Sequence, residues 1–300
     1  MSKKGISIGT WAYIWAGYAE DPIPLATVLD QIQTIGADGV EFTAFPPHLP
    51  LEEYGNQAKR KEIRNMIDDR GLGVSGLVVD FTSVPPTTTK PTDYIEVVKA
   101  GLDVAHDIGS PSVRVDTVSP PTDIPGGMDY ETCFGRVAQV FNRAAEECAK
   151  ADVLLIWEPE PGFLFNKPSE WVRLTYAVDH PNFKILFDFC HAHMCAVVGS
   201  RQPGEKETLP GGVAQLAHML TGKIGHIHFI DSDETLHDDH TSTHAPLGTG
   251  VLEFDPLLDA VEDAGYDGDW WALDLCFWPH AMDVIPANLK YLQDLRDRRS

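Results

Sequence analysis

Four residues able to bind a divalent metal stand at the ends of apolar runs in the second half of the chain. They are Glu158 after Val153-Leu154-Leu155-Ile156-Trp157, Asp188 after Phe183-Lys184-Ile185-Leu186-Phe187, His228 within Ile224-Gly225-His226-Ile227-His228-Phe229-Ile230, and Asp274 after Trp270-Trp271-Ala272-Leu273. Three carboxylates and one imidazole make a mostly hard-oxygen set. It suits Mn²⁺ first and Mg²⁺ next, takes Zn²⁺ or Co²⁺, and lacks the thiolates of a structural zinc site. If the apolar runs are strands of one parallel barrel, their ends converge, and the four residues can share one ion.

The neighbours of these residues extend the chemistry. In Trp157-Glu158-Pro159-Glu160-Pro161-Gly162 the prolines stop a strand and stiffen the backbone, so Glu158 faces the barrel mouth. Glu160 then either meets substrate or lies solvated in the loop. His191, three residues after Asp188, offers a polar group to substrate, although Asp188 could merely cap the turn that follows it. His226 and His228 share a strand face because side-chain direction repeats every two residues. Only His228 is near the rim and is assigned as a ligand through its neutral imidazole; His226 is left for substrate contact or packing. Glu41, Asp80 and Asp116 close other strands, where they either bind substrate hydroxyls or pair with residues such as Arg114; Asp231 belongs to rim chemistry or to a turn. His193 receives no role. The stretch His237-Asp238-Asp239-His240-Thr241-Ser242-Thr243-His244 imitates metal-site spacings but has no helical period, and it reads as a lid over substrate rather than a second metal site. Trp11, Phe45, Trp157, Phe277 and Trp278 could stack on a sugar ring, with core filling as the default.

Such a site needs elements that hold it. Strand-like segments at 6–8, 39–42, 74–79 and 113–115 precede the four already named, and helix-like stretches at 25–35, 58–69, 92–106, 130–149, 169–178, 213–220, 256–264 and 281–296 separate them. Gly36, Gly71 and Gly265 fall where helices end. Strands alternating with helices argue for a parallel sheet, and eight repeats in this length favour one (β/α)8 TIM barrel over residues 1–300. No GxGxxG or GxxxxGK[ST] follows the first strand, which weakens a dinucleotide-binding alternative. The helix-to-strand loops are short. Those at 43–57, 80–91, 117–129, 190–212 and 231–253 are long, and all lie on the strand-to-helix side where barrels place their chemistry.

Composition narrows the partners. With 23 basic and 45 acidic residues the formal charge is −22, which disfavours nucleic acid and anionic membrane surfaces. Five cysteines without CxxC spacing point to a reduced protein rather than a disulfide framework. The first residues enter a strand-like segment without an apolar leader, and no run of 18 apolar residues occurs, so a cytoplasmic location is expected.

The ordered motifs Trp-Glu-Pro-Glu-Pro-Gly, Phe-Asp-Phe-Cys-His, Gly-His-Ile-His-Phe-Ile-Asp and Gly-Tyr-Asp-Gly…Leu-Asp-Leu resemble the xylose isomerase-like TIM-barrel superfamily, in particular its sugar phosphate isomerase/epimerase branch. The resemblance covers nearly the whole chain. It implies one divalent metal, usually Mn²⁺ or Co²⁺, held by Glu158, Asp188, His228 and Asp274, with His191 touching substrate. It further implies that Glu158 and Asp274 move a proton next to a carbonyl that the metal polarises. Two positions depart from the epimerase pattern: Asp274 replaces a glutamate, and Glu234 stands where an arginine follows the strand-seven histidine by six residues.

The function expected is therefore isomerisation or epimerisation of a sugar, keto-sugar or cyclitol. Glu158 and Asp274 would act as catalytic groups, and His191, Glu160, Glu41 and His226 as substrate contacts. A lyase or dehydratase eliminating from a keto-sugar, keto-inositol or 3-keto-glycoside is the alternative. An apurinic-site endonuclease is disfavoured by the charge, and a non-catalytic sugar-binding barrel would follow if Asp274 cannot transfer a proton. The partner is a small molecule, with self-association into dimers or tetramers common in such barrels.

Overall fold

The computed structural model describes residues 3–238 and 241–299. Eight parallel strands close a barrel: β1 (Gly5–Gly9), β2 (Gly39–Thr43), β3 (Gly73–Val78), β4 (Ser112–Val115), β5 (Leu154–Trp157), β6 (Phe183–Asp188), β7 (Ile224–Phe229) and β10 (Trp270–Leu273). Two further strands, β8 (Leu236–His237) and β9 (Thr241–Ser242), form a small antiparallel hairpin in the loop after β7. The barrel order is sequential, with β1 paired to both β2 and β10. Nearly every strand residue is buried, because a barrel strand is covered by helices outside and by packed side chains within.

Helices follow the alternation read from the sequence: Leu25–Ile35, Gln57–Asp68, Pro91–Ile108, Tyr130–Lys150, Pro168–Ala177, Gly212–Met219, Phe254–Asp263 and Ala281–Arg298. Gly36 ends the first of them at φ 82°, the left-handed conformation that glycine adopts without a Cβ penalty. Each helix turns an apolar stripe to the barrel; Val98, Leu102 and Ala105 do so in Pro91–Ile108.

Besides the hairpin after β7, other expected loops carry more structure than their composition indicated. Residues 190–212 begin as a short helix, Phe189–His193, that runs into a π-helical turn, Met194–Val198. Asp188 nucleates it by accepting the backbone N–H of His191 at 2.7 Å, and burial of Met194, Cys195 and Ala196 holds it to the core. Residues 43–57 contain one helical turn, Leu51–Tyr54.

Two register shifts decide what faces the barrel axis. Val40 pairs with Val74 but Glu41 with Gly76, so Ser75 is an extra residue in β3. Ile185 pairs with Ile224 but Leu186 with His226, so Gly225 is extra in β7, and Asp188 comes to lie opposite His228. A one-residue slip reverses the face of every later side chain, so these bulges aim the polar residues inward. The lower end is plugged by the Trp270 indole. A Cβ on Gly39 or Gly73 would stand 2.6 Å from that ring.

All five cysteines are free and buried. Among the described residues, no helix is long and apolar enough to cross a membrane.

Candidate metal centre and active-site cavity

The four ligands expected from the sequence meet at the C-terminal rim. Glu158 follows β5, Asp188 ends β6, His228 sits in β7, and Asp274 follows β10; each is buried. One ligand atom from each of Glu158, Asp188, Asp274 and His191 lies within 4.8 Å of all the others. His228 joins the same cluster from below, its Nδ1 lying 3.1 Å from Glu158 Oε1 and 3.4 Å from Asp274 Oδ2. Four candidate donors therefore share one small volume, and His228 Nδ1 stands beside two of them, Glu158 and Asp274.

The electrostatics explain why a cation fits. Burial and the neighbouring Asp274 and Glu158 carboxylates push Asp188 up to about 8. Burial also raises Glu158, but the Arg114 guanidinium and His228 outweigh it and hold that carboxyl at about 2. Asp274 is likewise raised by burial but held well below the carboxylate range, chiefly by His244 and His228. Crowded buried carboxylates repel one another, and a divalent ion would relieve that repulsion. Among the buried atoms of the cluster that have no hydrogen-bond partner within the protein are Asp188 Oδ2 and His228 Nδ1. Both are ligand-type atoms, so the residues present suit a divalent metal.

Glu41 and His226, expected to contact substrate, lie beneath the cavity and not on its described lining. Glu41 is fully buried and bonds His226 Nε2 at 2.8 Å and His228 Nε2 at 3.2 Å, with the Ser75 hydroxyl donating to it at 3.3 Å. Burial raises its pKa, but the two imidazoles prevail and keep the carboxyl ionised far below the usual range. A carboxylate at His228 Nε2 anchors a proton there. Burial disfavours the charged ring, but Glu41 and Glu158 outweigh it and hold its pKa well above the usual value. Without a metal, Nδ1 therefore also carries a proton toward Glu158 and Asp274; a metal would displace that proton and leave the Nε2–H tautomer. That tautomer is the one a metal needs.

Above the cluster opens a cavity of about 460 Å³ whose lining includes Glu158, Glu160, His191, Asp274, Arg114 and Asp116. Glu160 accepts the Thr241 hydroxyl through Oε2, and burial pushes its carboxyl up to about 7. His191 Nδ1 shares a 2.9 Å hydrogen bond with Ser242, and burial lowers the ring to about 3, so it is neutral. The hairpin expected as a lid thus reaches the site through β9. Its companion His244, whose Nδ1 is 3.3 Å from Asp274 Oδ1, also lines the cavity. Asp239 and His240 of the same stretch lie outside the described residues.

The other sequence candidates separate. Arg114 pairs with Asp116 at 3.1 Å and with Glu158, so Asp116 belongs to an ion-pair network on the cavity wall. Asp80 is not itself on the described lining; it accepts the hydroxyl and backbone N–H of Thr82, which is. Asp231 is a turn former, accepting the N–H groups of Ser232, Gly248, Gly250 and Leu252. Glu234 pairs with His193 at 3.0 Å, off the cavity lining. Trp157 is core, whereas Trp11, Phe45 and Phe277 line the cavity.

Trp11 is the residue whose role sequence reasoning missed. Its indole N–H donates to Asp274 Oδ1, which also accepts the backbone N–H of Cys276 at 3.0 Å. Its place just beyond the first strand was the available signal, since that is the same rim.

A closed parallel barrel with long loops and a carboxylate–imidazole cluster on one rim defines an enzyme of the TIM-barrel class. The chain belongs to the xylose isomerase-like TIM barrel family, whose model matches residues 29–295. It is 21% identical to the hydroxypyruvate isomerase of Escherichia coli (strain K12) over 238 residues, covering 78% of this chain and 81% of that protein. It is 24% identical over 238 residues to an inosose dehydratase of Lacticaseibacillus casei, covering 72% and 74%. A solved D-tagatose 3-epimerase-like protein superposes with a TM-score of 0.71 at 17% identity, covering 99% of this chain and all of that one (100%). Isomerases, epimerases and dehydratases thus share this architecture.

Proposed function

We propose that the protein is a divalent-metal-dependent isomerase or epimerase that moves a proton next to the carbonyl of a sugar, keto-sugar or cyclitol. The observation that carries this reading is the convergence of Glu158, Asp188, Asp274 and the tautomer-set His228 under one cavity. Those four would hold the metal, with Mn²⁺ the first choice for a set of three carboxylates and one imidazole. When bound, the metal supplies Lewis acidity that polarises a carbonyl and its neighbouring hydroxyl. His191 is assigned to substrate rather than metal, because Ser242 fixes its Nδ1 and it lines the cavity.

The proton-carrying pair expected from the sequence is revised. Asp274 Oδ1 already accepts two N–H groups, and Glu158 is an ion-paired, weakly basic carboxylate. Glu160 reaches the cavity with only Oε2 engaged, and its pKa near 7 matches a general acid or base at neutral pH. We assign it the proton transfer. Arg114 is the only lysine or arginine on the described lining and is already paired, which favours an uncharged substrate over a phosphorylated one.

Elimination by a lyase or dehydratase is the second reading. Occupation of Asp274 Oδ1 favours it, since epimerisation needs a proton carrier on each face of the reacting carbon whereas elimination does not.

The test is solvent deuterium exchange into a panel of keto-sugars and keto-inositols with Mn²⁺ present. Isomerisation incorporates deuterium without loss of a leaving group; release of water or an aglycone selects the lyase reading. Glu158→Gln should lose metal, whereas Glu160→Gln should keep metal and lose exchange. Full activity in Glu158→Gln, Glu160→Gln and Asp274→Asn alike would overturn the proposal.

A further inference from the structure

The cavity has two chemically different ends. Its floor is the cluster of Glu158, Asp274, His191 and Glu160, while its outer wall is built from Trp15, Phe45, Val118, Phe163 and Phe277, each half-buried. We propose that the substrate carries an uncharged planar substituent on its keto-sugar or cyclitol head, and that Trp15, Phe45 and Phe277 bind it. This deepens the proposed function and rests on it for the identity of the head group.

Size and polarity carry the inference. A volume of about 460 Å³ falls in the range that encloses drug-sized ligands. A free polyol held at the floor would leave the aromatic wall uncovered, and its distal hydroxyls would lose water without gaining partners there. A planar apolar group suits the wall instead. Trp15 and Phe277 are half-buried and stacked, with centroids 5.2 Å apart and planes at 18°, and Phe45 meets Trp15 edge-on at 5.4 Å. His237 of the β8–β9 hairpin stacks on Phe277 at 4.7 Å and 11°, so the lid supports the platform.

The backbone supplies a second observation. Phe277 has φ 60° and Val118 has φ 61°, the left-handed region that bulky and β-branched residues rarely occupy. Two loops therefore hold apolar side chains on the wall at a conformational cost, as happens where a binding surface is imposed on the chain. Charge argues that the substituent is neutral: Arg114, the only lysine or arginine on the described lining, is committed to Glu158 and Asp116.

Two dead-end probes that differ only in the substituent test this: 4-nitrophenyl β-D-glucopyranoside and methyl β-D-glucopyranoside. Each is titrated calorimetrically into the full chain with and without Mn²⁺, and Mn²⁺ binding is measured alone. The nitrophenyl probe should bind about tenfold more tightly, the gain expected of one aromatic stacking contact. Trp15→Ala should abolish that preference with unchanged Mn²⁺ affinity, and Phe277→Leu, which keeps bulk but removes the plane, should reduce it. Equal affinity of the two probes for the wild-type chain, or an undiminished preference in both variants, overturns the proposal. Failure of Mn²⁺ to bind would sink the metal reading instead, and the nitrophenyl preference remains measurable without it.

Discussion

The indole N–H of Trp11 donates a 2.5 Å hydrogen bond to Asp274 Oδ1, joining residues 263 positions apart across the seam where β1 pairs with β10. The bond orients one of the two short aspartate arms of the cluster. With Oδ1 held by Trp11 and Cys276, Oδ2 is left toward His228. Trp11→Phe should therefore keep the packing against His228 but weaken Mn²⁺ binding by about tenfold, the lower end for loss of a ligand-orienting group. Calorimetry against wild type checks this; an unchanged affinity would reduce Trp11 to a wall residue.

Glu41 should matter to the metal without touching it. Glu41→Gln keeps one acceptor oxygen but cannot serve two imidazole N–H groups, so His226 and His228 can no longer both be held. Mn²⁺ affinity should fall roughly 10–100-fold, and urea denaturation should show a loss of about 3–5 kcal/mol, as for breaking a buried charged pair. Wild-type chelator competition in this variant would contradict the assigned orienting role.

Stability of the metal-free protein should fall as pH rises. Asp188 titrates near 8 in the folded chain, through burial and the carboxylates beside it, against about 3.9 unfolded. The folded state then binds the extra proton between those values. Its contribution is complete below about pH 4 and is lost as pH climbs through 8. Thermal melts from pH 5 to 9 should show this decline, and Asp188→Asn should flatten it. Saturating Mn²⁺ should flatten it too, by occupying the ionised form.

A substitution at the opposite end should separate fold from site. Alanine at Gly73 would place a Cβ 2.6 Å from the Trp270 ring that plugs the barrel floor. Gly73→Ala should cost about 1–3 kcal/mol from overpacking with Mn²⁺ affinity unaltered. A matched loss of metal binding would show that the floor and rim are coupled.

Much of this was legible from the residues alone. The eightfold alternation is local, since hydrophobic period and helix-ending glycines such as Gly36 act within one or two turns of chain. Glu158, Asp188, His228 and Asp274 stood out because each interrupts an apolar run at the point where a strand must leave the core. The loop 190–212 was less legible, because its helix depends on the Asp188 cap and on burial of Met194 and Cys195 against distant elements. Glu41 looks like a rim residue in sequence and His226 is open to substrate contact or packing, yet the two bond each other beneath the cavity. The Arg114–Glu158 and Thr241–Glu160 pairs join elements far apart in the chain, and no sequence period reports them.

By itself the sequence determined which residues could bind a metal and that eight strand–helix units would carry them, because both follow from residue type and short-range period. Only the tertiary structure decided how those residues are used. The extra residues Ser75 and Gly225 set the strand registers that bring Glu41 to both histidines and His228 opposite Asp188. Register is a property of paired strands, not of either strand alone, so it becomes definite only when the barrel closes.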